Sequence, residues 1–213
     1  MLRSVPQLSV AASWPGSKSK GRLNMNPVQD SFGFLIESVF QLYMLLVLLR
    51  FLFQLTRVDF RNPIVTPIVK LTHPPLAWLR RFVPGLFGVD MSAIVLFLFL
   101  GVVKLFLLGL IAGGMVNLSG ALVWSVAKFL DMGFWIYIIA IFMQAILSWF
   151  MPQQGNPVSV LLGELTYPVL RPIRNLLPAM GGLDFSPIVA LIGLNFLQRL
   201  LVSPLFHVAA QLM

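Results

Sequence analysis

The stretch NPIVTPIVKLTHPPLAWLRRFVPGLFGVDMSAIV, residues 62–95, returns 94 residues later as NPVSVLLGELTYPVLRPIRNLLPAMGGLDFSPIV, residues 156–189. Without gaps the two share 13 identities in 34 positions, where ordinary amino-acid usage gives about two or three by chance. The identities are Asn, Pro, Leu, Thr, Arg, Gly, Asp, Ser, Ile and Val. Shared hydrophobicity alone does not align so many polar residues and breakers. The chain is therefore an internal duplication, and the unit that is duplicated decides the fold.

Each copy lies between long apolar runs. Ser31–Leu55 and Met91–Gly114 flank the first; Gly133–Phe150 and Pro187–Leu212 flank the second. A helix needs about 20 residues at 1.5 Å rise to cross the hydrocarbon, and each run is long enough. Composition agrees: 58 % of the 213 residues are hydrophobic, 10 % are charged, and mean hydropathy is +0.90. A soluble domain carries roughly 25 % charged residues. The expected architecture is an all-α membrane protein of about four transmembrane helices, arranged as two helix–loop–helix repeats. An even number of crossings per repeat makes the copies parallel, so both loops emerge at one membrane face, side by side.

The expected segments are a tail over residues 1–24, a first repeat over 25–114, a linker over 115–132 and a second repeat over 133–213. The tail holds Arg3, Lys18, Lys20 and Arg22 and no apolar run of signal-peptide length. It reads either as disordered chain or as sequence upstream of a start at Met25. Val116–Leu130 reads as an interfacial helix or a lead-in to the third span, with a fifth crossing as the remaining alternative.

The loops 56–90 and 151–186 carry Arg57, Arg61, Lys70, Arg80, Arg81, Arg171 and Arg174, whereas the opposite side beyond Met25 carries only Lys128. The positive-inside rule puts the loops in the cytoplasm. The formal charge of +8 falls to +4 without the tail, and the loops supply seven basic against four acidic residues. This points to anionic headgroups rather than nucleic acid.

The duplicated pattern NP…LTxPxLxxxRxxxPxxxGxDxS between apolar helices resembles the YggT family of small bacterial inner-membrane proteins, which has relatives in chloroplast thylakoids. The resemblance covers residues 25–213. Its motif positions are Asn62, Pro63, Thr72, Pro74, Arg80, Pro84, Gly88 and Asp90, repeated as Asn156, Pro157, Thr166, Pro168, Arg174, Pro178, Gly182 and Asp184. It implies links to osmotic-stress and potassium physiology, cell division or nucleoid organisation, and plastid cytochrome assembly, with no enzymatic activity.

Within each loop, Asn-Pro suits a helix start, with Asn capping and Pro in the first turn. Thr72-His73-Pro74 and Thr166-Tyr167-Pro168 then predict a break. A second short helix is expected to follow. Leu76, Leu79, Phe82 and Val83, matched by Leu170, Ile173, Leu176 and Leu177, form its apolar stripe, with Arg80 and Arg174 opposite. That pattern suits a helix in the headgroup zone, either as an anchor or as an anionic-lipid or partner-protein site. Gly-x-Asp-x-Ser precedes the returning span. Asp90, Ser92 and Ser186 are expected caps, with Asp90–Arg80 and Asp184–Arg174 pairing, or a cation site, as alternatives.

Four charges fall inside the spans: Glu37, Arg50, Lys104 and Arg199. Each costs about 2.5–3.5 kcal/mol at mid-bilayer on insertion scales. Arg50 is expected to snorkel. Glu37 and Lys104 differ in depth by roughly 6 Å, so they are expected to pair, as a packing lock or as an ion or proton element. Position 198, the repeat counterpart of Lys104, is Gln; the pair therefore reads as unduplicated, and Asp131 as an isolated acid at a helix start.

Chemistry is sparse. With no cysteine and only His73 and His207, neither a metal cluster nor a cofactor site is expected. Zinc-protease, Walker and dinucleotide motifs are absent from the sequence. The function expected is non-enzymatic: organising or assembling membrane components through the paired basic loops, with ion or osmolyte transport as the alternative. The expected contacts are the lipid bilayer, anionic lipids and an unidentified membrane protein; two-span repeats are also compatible with homo-oligomers.

Overall fold

The computed structural model describes residues 27–83, 85, 90–150, 156–176 and 184–213. The tail and the motif residues Pro84, Gly88, Pro178 and Gly182 lie outside the described residues. Six helices run in order: α1 (Pro27–Leu55), α2 (Val65–Leu79), α3 (Met91–Ala112), α4 (Leu118–Phe150), α5 (Pro157–Leu176) and α6 (Ser186–Leu212). By length and composition α1, α3, α4 and α6 can each cross a membrane. The repeat is α1–α2–α3 followed by α4–α5–α6.

Within each repeat the two long helices pack together, α1 on α3 and α4 on α6, and the repeats meet through α3 and α4. The main core gathers Met44, Val47, Leu48 and Phe51 of α1, Leu96 and Phe97 of α3, and Met132 and Ile136 of α4. A smaller cluster joins Ile141, Leu170 and Ala190 of the second repeat. At Gly101 a Cβ would stand 2.5 Å from the Ser125 hydroxyl oxygen, so glycine lets α3 and α4 touch there.

Gly113 ends α3 at a left-handed φ of 68°, and Gly114 N–H donates to the Gly109 carbonyl (2.9 Å). This is the closure that glycine favours at a helix C-terminus. The chain then reverses directly into α4.

Three local expectations are resolved. Residues 118–130 are the lead-in to the third span that one alternative expected, not a separate interfacial helix or a fifth crossing, because α4 runs unbroken through them. Gly133 does not stop it: an interior glycine costs only about 1 kcal/mol. Lys128 and Asp131 consequently lie inside the span, joined by a salt bridge of 3.1 Å along the helix.

The expected proline breaks are also absent. α2 contains Pro74 and Pro75, and α5 contains Pro168 and Pro172. Interior prolines are normally disruptive, but here tertiary anchorage outweighs the lost donors. Val65, Thr72 and Leu76 of α2, and Leu161, Leu165, Thr166 and Leu170 of α5, are all buried.

Arg50, third, does not snorkel. It is 4 % exposed and turns into the bundle, where Nη1 donates to the Val69 carbonyl (2.8 Å) and to Thr72 Oγ1 (3.1 Å).

Candidate functional site

The loop helices α2 and α5 are held at the same end of the bundle by bonds between the repeats. Asp59 N–H donates to Glu164 Oε2 (3.2 Å) and Asn62 Nδ2 to the Pro157 carbonyl (2.8 Å). The two loops therefore lie side by side, as the parallel duplication requires. Each motif asparagine also organises its own start: Asn62 Oδ1 accepts from Ile64 N–H (3.0 Å) and Asn156 Oδ1 from Val158 N–H (2.9 Å). Pro63 sits in the turn before α2, and Pro157 opens α5.

The motif threonines fix the loop helices to the spans. Thr72 Oγ1 donates to the Ile68 carbonyl (2.7 Å) and accepts from Arg50. In the second copy Thr166 Oγ1 bonds the Leu162 carbonyl (2.7 Å) and the Gln144 side chain. Gln144 is the 94-residue counterpart of Arg50. The sequence reading missed it, although the offset alone identifies it.

The motif arginines close each loop onto the following span. Arg80 is bonded to Asp90 Oδ2 through both Nε (3.2 Å) and Nη2, while the Ser92 hydroxyl bonds Asp90 Oδ1. Arg174 Nε meets Asp184 Oδ2 at 2.9 Å, and Asp184 Oδ1 accepts from Ser186 N–H (2.9 Å). Pairing is the alternative that the structure makes, and the expected caps are corrected. Neither α3, with Asp90 at its N-cap position, nor α6, with Phe185 there, has a side-chain cap bond. Ser92 bonds Asp90 itself, and Ser186 is already the first residue of α6. Burial pushes the Asp90 carboxyl up, but the bonds from Arg80 and Ser92 outweigh it and hold the group below the ordinary carboxylate range. Burial pushes the Asp184 carboxyl up as well, and the bonds from Ser186 and Arg174 together outweigh it and hold the group low.

With Arg80 and Arg174 occupied, Arg57, Arg61, Lys70, Arg81 and Arg171 are the exposed loop cations that form no salt bridge among the described residues. Aromatic side chains stand beside them. Trp78 and Phe82 pack edge to face at 5.2 Å, and the Arg171 guanidinium lies 5.5 Å from the Tyr167 ring centre. Exposed aromatic and cationic groups on one loop pair are the residue types of a membrane–water interface.

The intramembrane charges are arranged differently from the expectation. Glu37 and Lys104 form no salt bridge; the Lys104 ammonium instead lies 4.5 Å above the Trp124 ring, and its side chain is buried. Glu37 lies on α1 beside Leu108 and Ile111 of α3, in a cavity of about 340 Å³. The polar pairing is made in the second repeat instead. Asp131 is the counterpart of Glu37, as Gln198 is of Lys104, and Gln198 Nε2 donates to Asp131 Oδ1 (2.9 Å). Asp131 is therefore no isolated acid at a helix start.

Two grooves line the junction of the repeats. One of about 540 Å³ is apolar, between Leu48, Phe51 and Leu52 of α1, Phe129 and Phe134 of α4, and Pro168 of α5. The other, about 490 Å³, carries Gln41, Lys128 and Asp131 among apolar neighbours. Among the described residues no group of His, Cys, Asp and Glu is placed to hold a metal ion.

Similarity to known proteins follows the same duplication. The family model described as CCB3/YggT matches residues 29–111 and again 123–205. The chain is 36 % identical over 176 residues to "Uncharacterized protein PA0392" of Pseudomonas aeruginosa, covering 81 % of this chain and 88 % of that one. It is 36 % identical over 192 residues to "Uncharacterized protein in proC 3'region" of Vibrio alginolyticus, covering 83 % and 98 %. It is 34 % identical over 162 residues to "Uncharacterized protein YggT" of Escherichia coli strain K12, covering 75 % and 83 %. No solved structure matches.

Proposed function

The chain belongs to the CCB3/YggT family, and from that premise we propose that it is a non-enzymatic membrane protein that organises or assembles membrane components through its paired loop helices. The supporting observation is the joined loop unit. Two proline-containing helices are bonded to each other by Asn62 and Glu164, to their spans by Arg50 and Gln144, and to the next spans by Arg80–Asp90 and Arg174–Asp184. Such a unit presents Arg81, Lys70, Arg171, Trp78 and Tyr167 as a preorganised surface for anionic headgroups and for a membrane-protein partner. The proposed setting is the bacterial inner membrane, with loops 56–90 and 151–186 in the cytoplasm. With Lys128 inside α4, the opposite side beyond Met25 has no basic loop residue, which strengthens the charge asymmetry behind that orientation.

The test is site-specific photocrosslinking in native membranes from Trp78 and Tyr167. A discrete partner adduct is expected, and it is lost when Arg81 and Arg171 are both changed to Glu. Uniform labelling of bulk lipid and protein, unaffected by those changes, overturns the reading. Orientation is read by thiol labelling: Lys70→Cys, in a chain without native cysteine, should be reached only from the cytoplasmic side.

A second reading, participation in cation or osmolyte transport, is favoured by the buried Lys104 and by the groove bearing Lys128 and Asp131. Intramembrane ionisable groups often mark transport paths. Liposomes containing only this protein separate the two: transport requires a flux that Lys104→Met or Asp131→Asn abolishes, and assembly requires none.

A further inference from the structure

The seam between the repeats has a side that is left open. Along it α3 and α4 touch at Gly101 and Ser125, Phe97 and Phe129 pack edge to face at 5.1 Å, and Lys104 covers Trp124. The 94-residue offset makes α6 the counterpart of α3, and α1 the counterpart of α4. A closed two-fold arrangement of repeats would pack α6 on α1 as α3 packs on α4. Among the described residues there is no comparable α6–α1 contact. One face of α6 and one face of α1 are therefore unmatched halves of the same seam.

The residues on these halves differ from those on the closed seam in a consistent way. Gly101, Leu105 and Gly109 are buried in α3. Their counterparts Asn195, Arg199 and Ser203 are polar and exposed on α6. Arg199 is the central residue of its span and forms no salt bridge among the described residues. From there a guanidinium does not reach the headgroups, and lipid-facing arginine at that depth is disfavoured. On the other half, the counterpart of Trp124 is Asp30 and that of Ser125 is Ser31. Asp30 is an exposed acid in the first turn of α1 and forms no salt bridge among the described residues. Phe34 and Leu35 beside it are 74 % and 56 % exposed.

We propose that the chain associates with a second copy of itself by continuing this seam, α6 of one copy against α1 of the next. In the register of the internal seam the Lys104–Trp124 contact maps onto Gln198 and Asp30, which brings the adjacent Arg199 within reach of Asp30 of the next copy and Asn195 beside that copy's Ser31. The open faces are complementary in charge, cation on α6 and anion on α1. Asn195 replaces the glycine of the internal seam, so the helices stand further apart and the contact is hydrogen-bonded where the internal one is close-packed. Arg199 then faces protein, the usual setting for an intramembrane charge. The contact is heterologous and closes into a ring where its rotation permits.

The chain lacks native cysteine, so introduced cysteines report alone. Two differently tagged full-length chains, one carrying Ser31→Cys and the other Asn195→Cys, are co-expressed and oxidised in their membranes. A mixed disulfide dimer is expected. A Val39→Cys and Phe99→Cys pair, both exposed and outside the seam, should give none. Arg199→Gln, which keeps the residue polar, should lower the 31–195 yield about tenfold at equal protein level, the equivalent of about 1.4 kcal/mol and within the range of intramembrane side-chain contacts. Arg199→Asp should lower it further, and adding Asp30→Arg in the same chain should restore it. Absence of the 31–195 disulfide, yield unchanged in Arg199→Gln, or equal crosslinking of the 39–99 pair overturns the proposal.

Discussion

Arg50 and Gln144 stand 94 positions apart and do the same work: each reaches from the first span of its repeat to the buried threonine of the loop helix, Thr72 or Thr166. One is a cation and the other a neutral amide, so the shared requirement is for a hydrogen-bonding side chain long enough to reach the loop helix. The loop helices are parts of the bundle's interior as much as of its surface. Their buried faces make the interior prolines tolerable.

This equivalence predicts the outcome of exchanging the two residues. Arg50→Gln should leave thermal stability in detergent near that of the wild-type chain. Arg50→Ala should lower it by about 1.5–3 kcal/mol, the range for hydrogen bonds made by a charged group. Equal melting of all three proteins would show that the contact does not hold α2.

Acid should loosen the loop clasps. The Asp90 and Asp184 carboxyls are held below the ordinary carboxylate range in the folded chain. Their contribution is therefore complete above the unfolded value, about 3.9. It is lost as pH falls through the lower folded values. Melting temperature should drop below about pH 4, and Asp90→Asn should remove more of that drop than Asp184→Asn. Asp90 is nearly buried, whereas the second clasp is open to solvent on both sides.

Glycine substitutions should separate by location. Gly101→Ala drives a methyl against Ser125 and should destabilise by about 1–3 kcal/mol, the usual cost of overpacking. Gly163, inside α5, has open space where its Cβ would be. Gly163→Ala should stabilise by up to about 1 kcal/mol. Denaturant titration in mixed micelles distinguishes them by sign.

The bonds between the loops can be read as a distance. Asn62→Ala with Glu164→Ala removes both of the hydrogen bonds described above between the two loops. Spin labels at Lys70→Cys and Arg171→Cys should then show a broadened distance distribution, with the spans still folded. An unchanged narrow distribution would mean the spans alone hold the loops in place.

The spans and their grouping were legible because apolar length and an exact offset are one-dimensional signals. The Asn-Pro starts and the Arg–Asp clasps were legible for the same reason, each lying within a few turns of its partner. What escaped the sequence was set by contacts across the bundle. Whether residues 116–130 run on into the third span stayed open in the sequence, because Lys128 and Asp131 interrupt the apolar run there, yet the two charges satisfy each other along the helix and Asp131 also takes Gln198. Proline read as a break because its local cost is visible and the burial of Thr72 and Leu76 is not. Glu37 was matched with Lys104 by depth, whereas the ammonium found the face of Trp124.

The unbroken α4 has a dimensional consequence. Its 33 residues span about 50 Å, against about 30 Å of hydrocarbon. Neighbouring α3, with 22 residues, spans about 33 Å and fits almost upright. The two are tied together at Gly113, so the surplus of α4 is carried toward the loop end, and bilayer thickness decides how far the loops stand off. A thin bilayer lifts them into the aqueous phase; a thick one draws Trp78 and Tyr167 down among the headgroups.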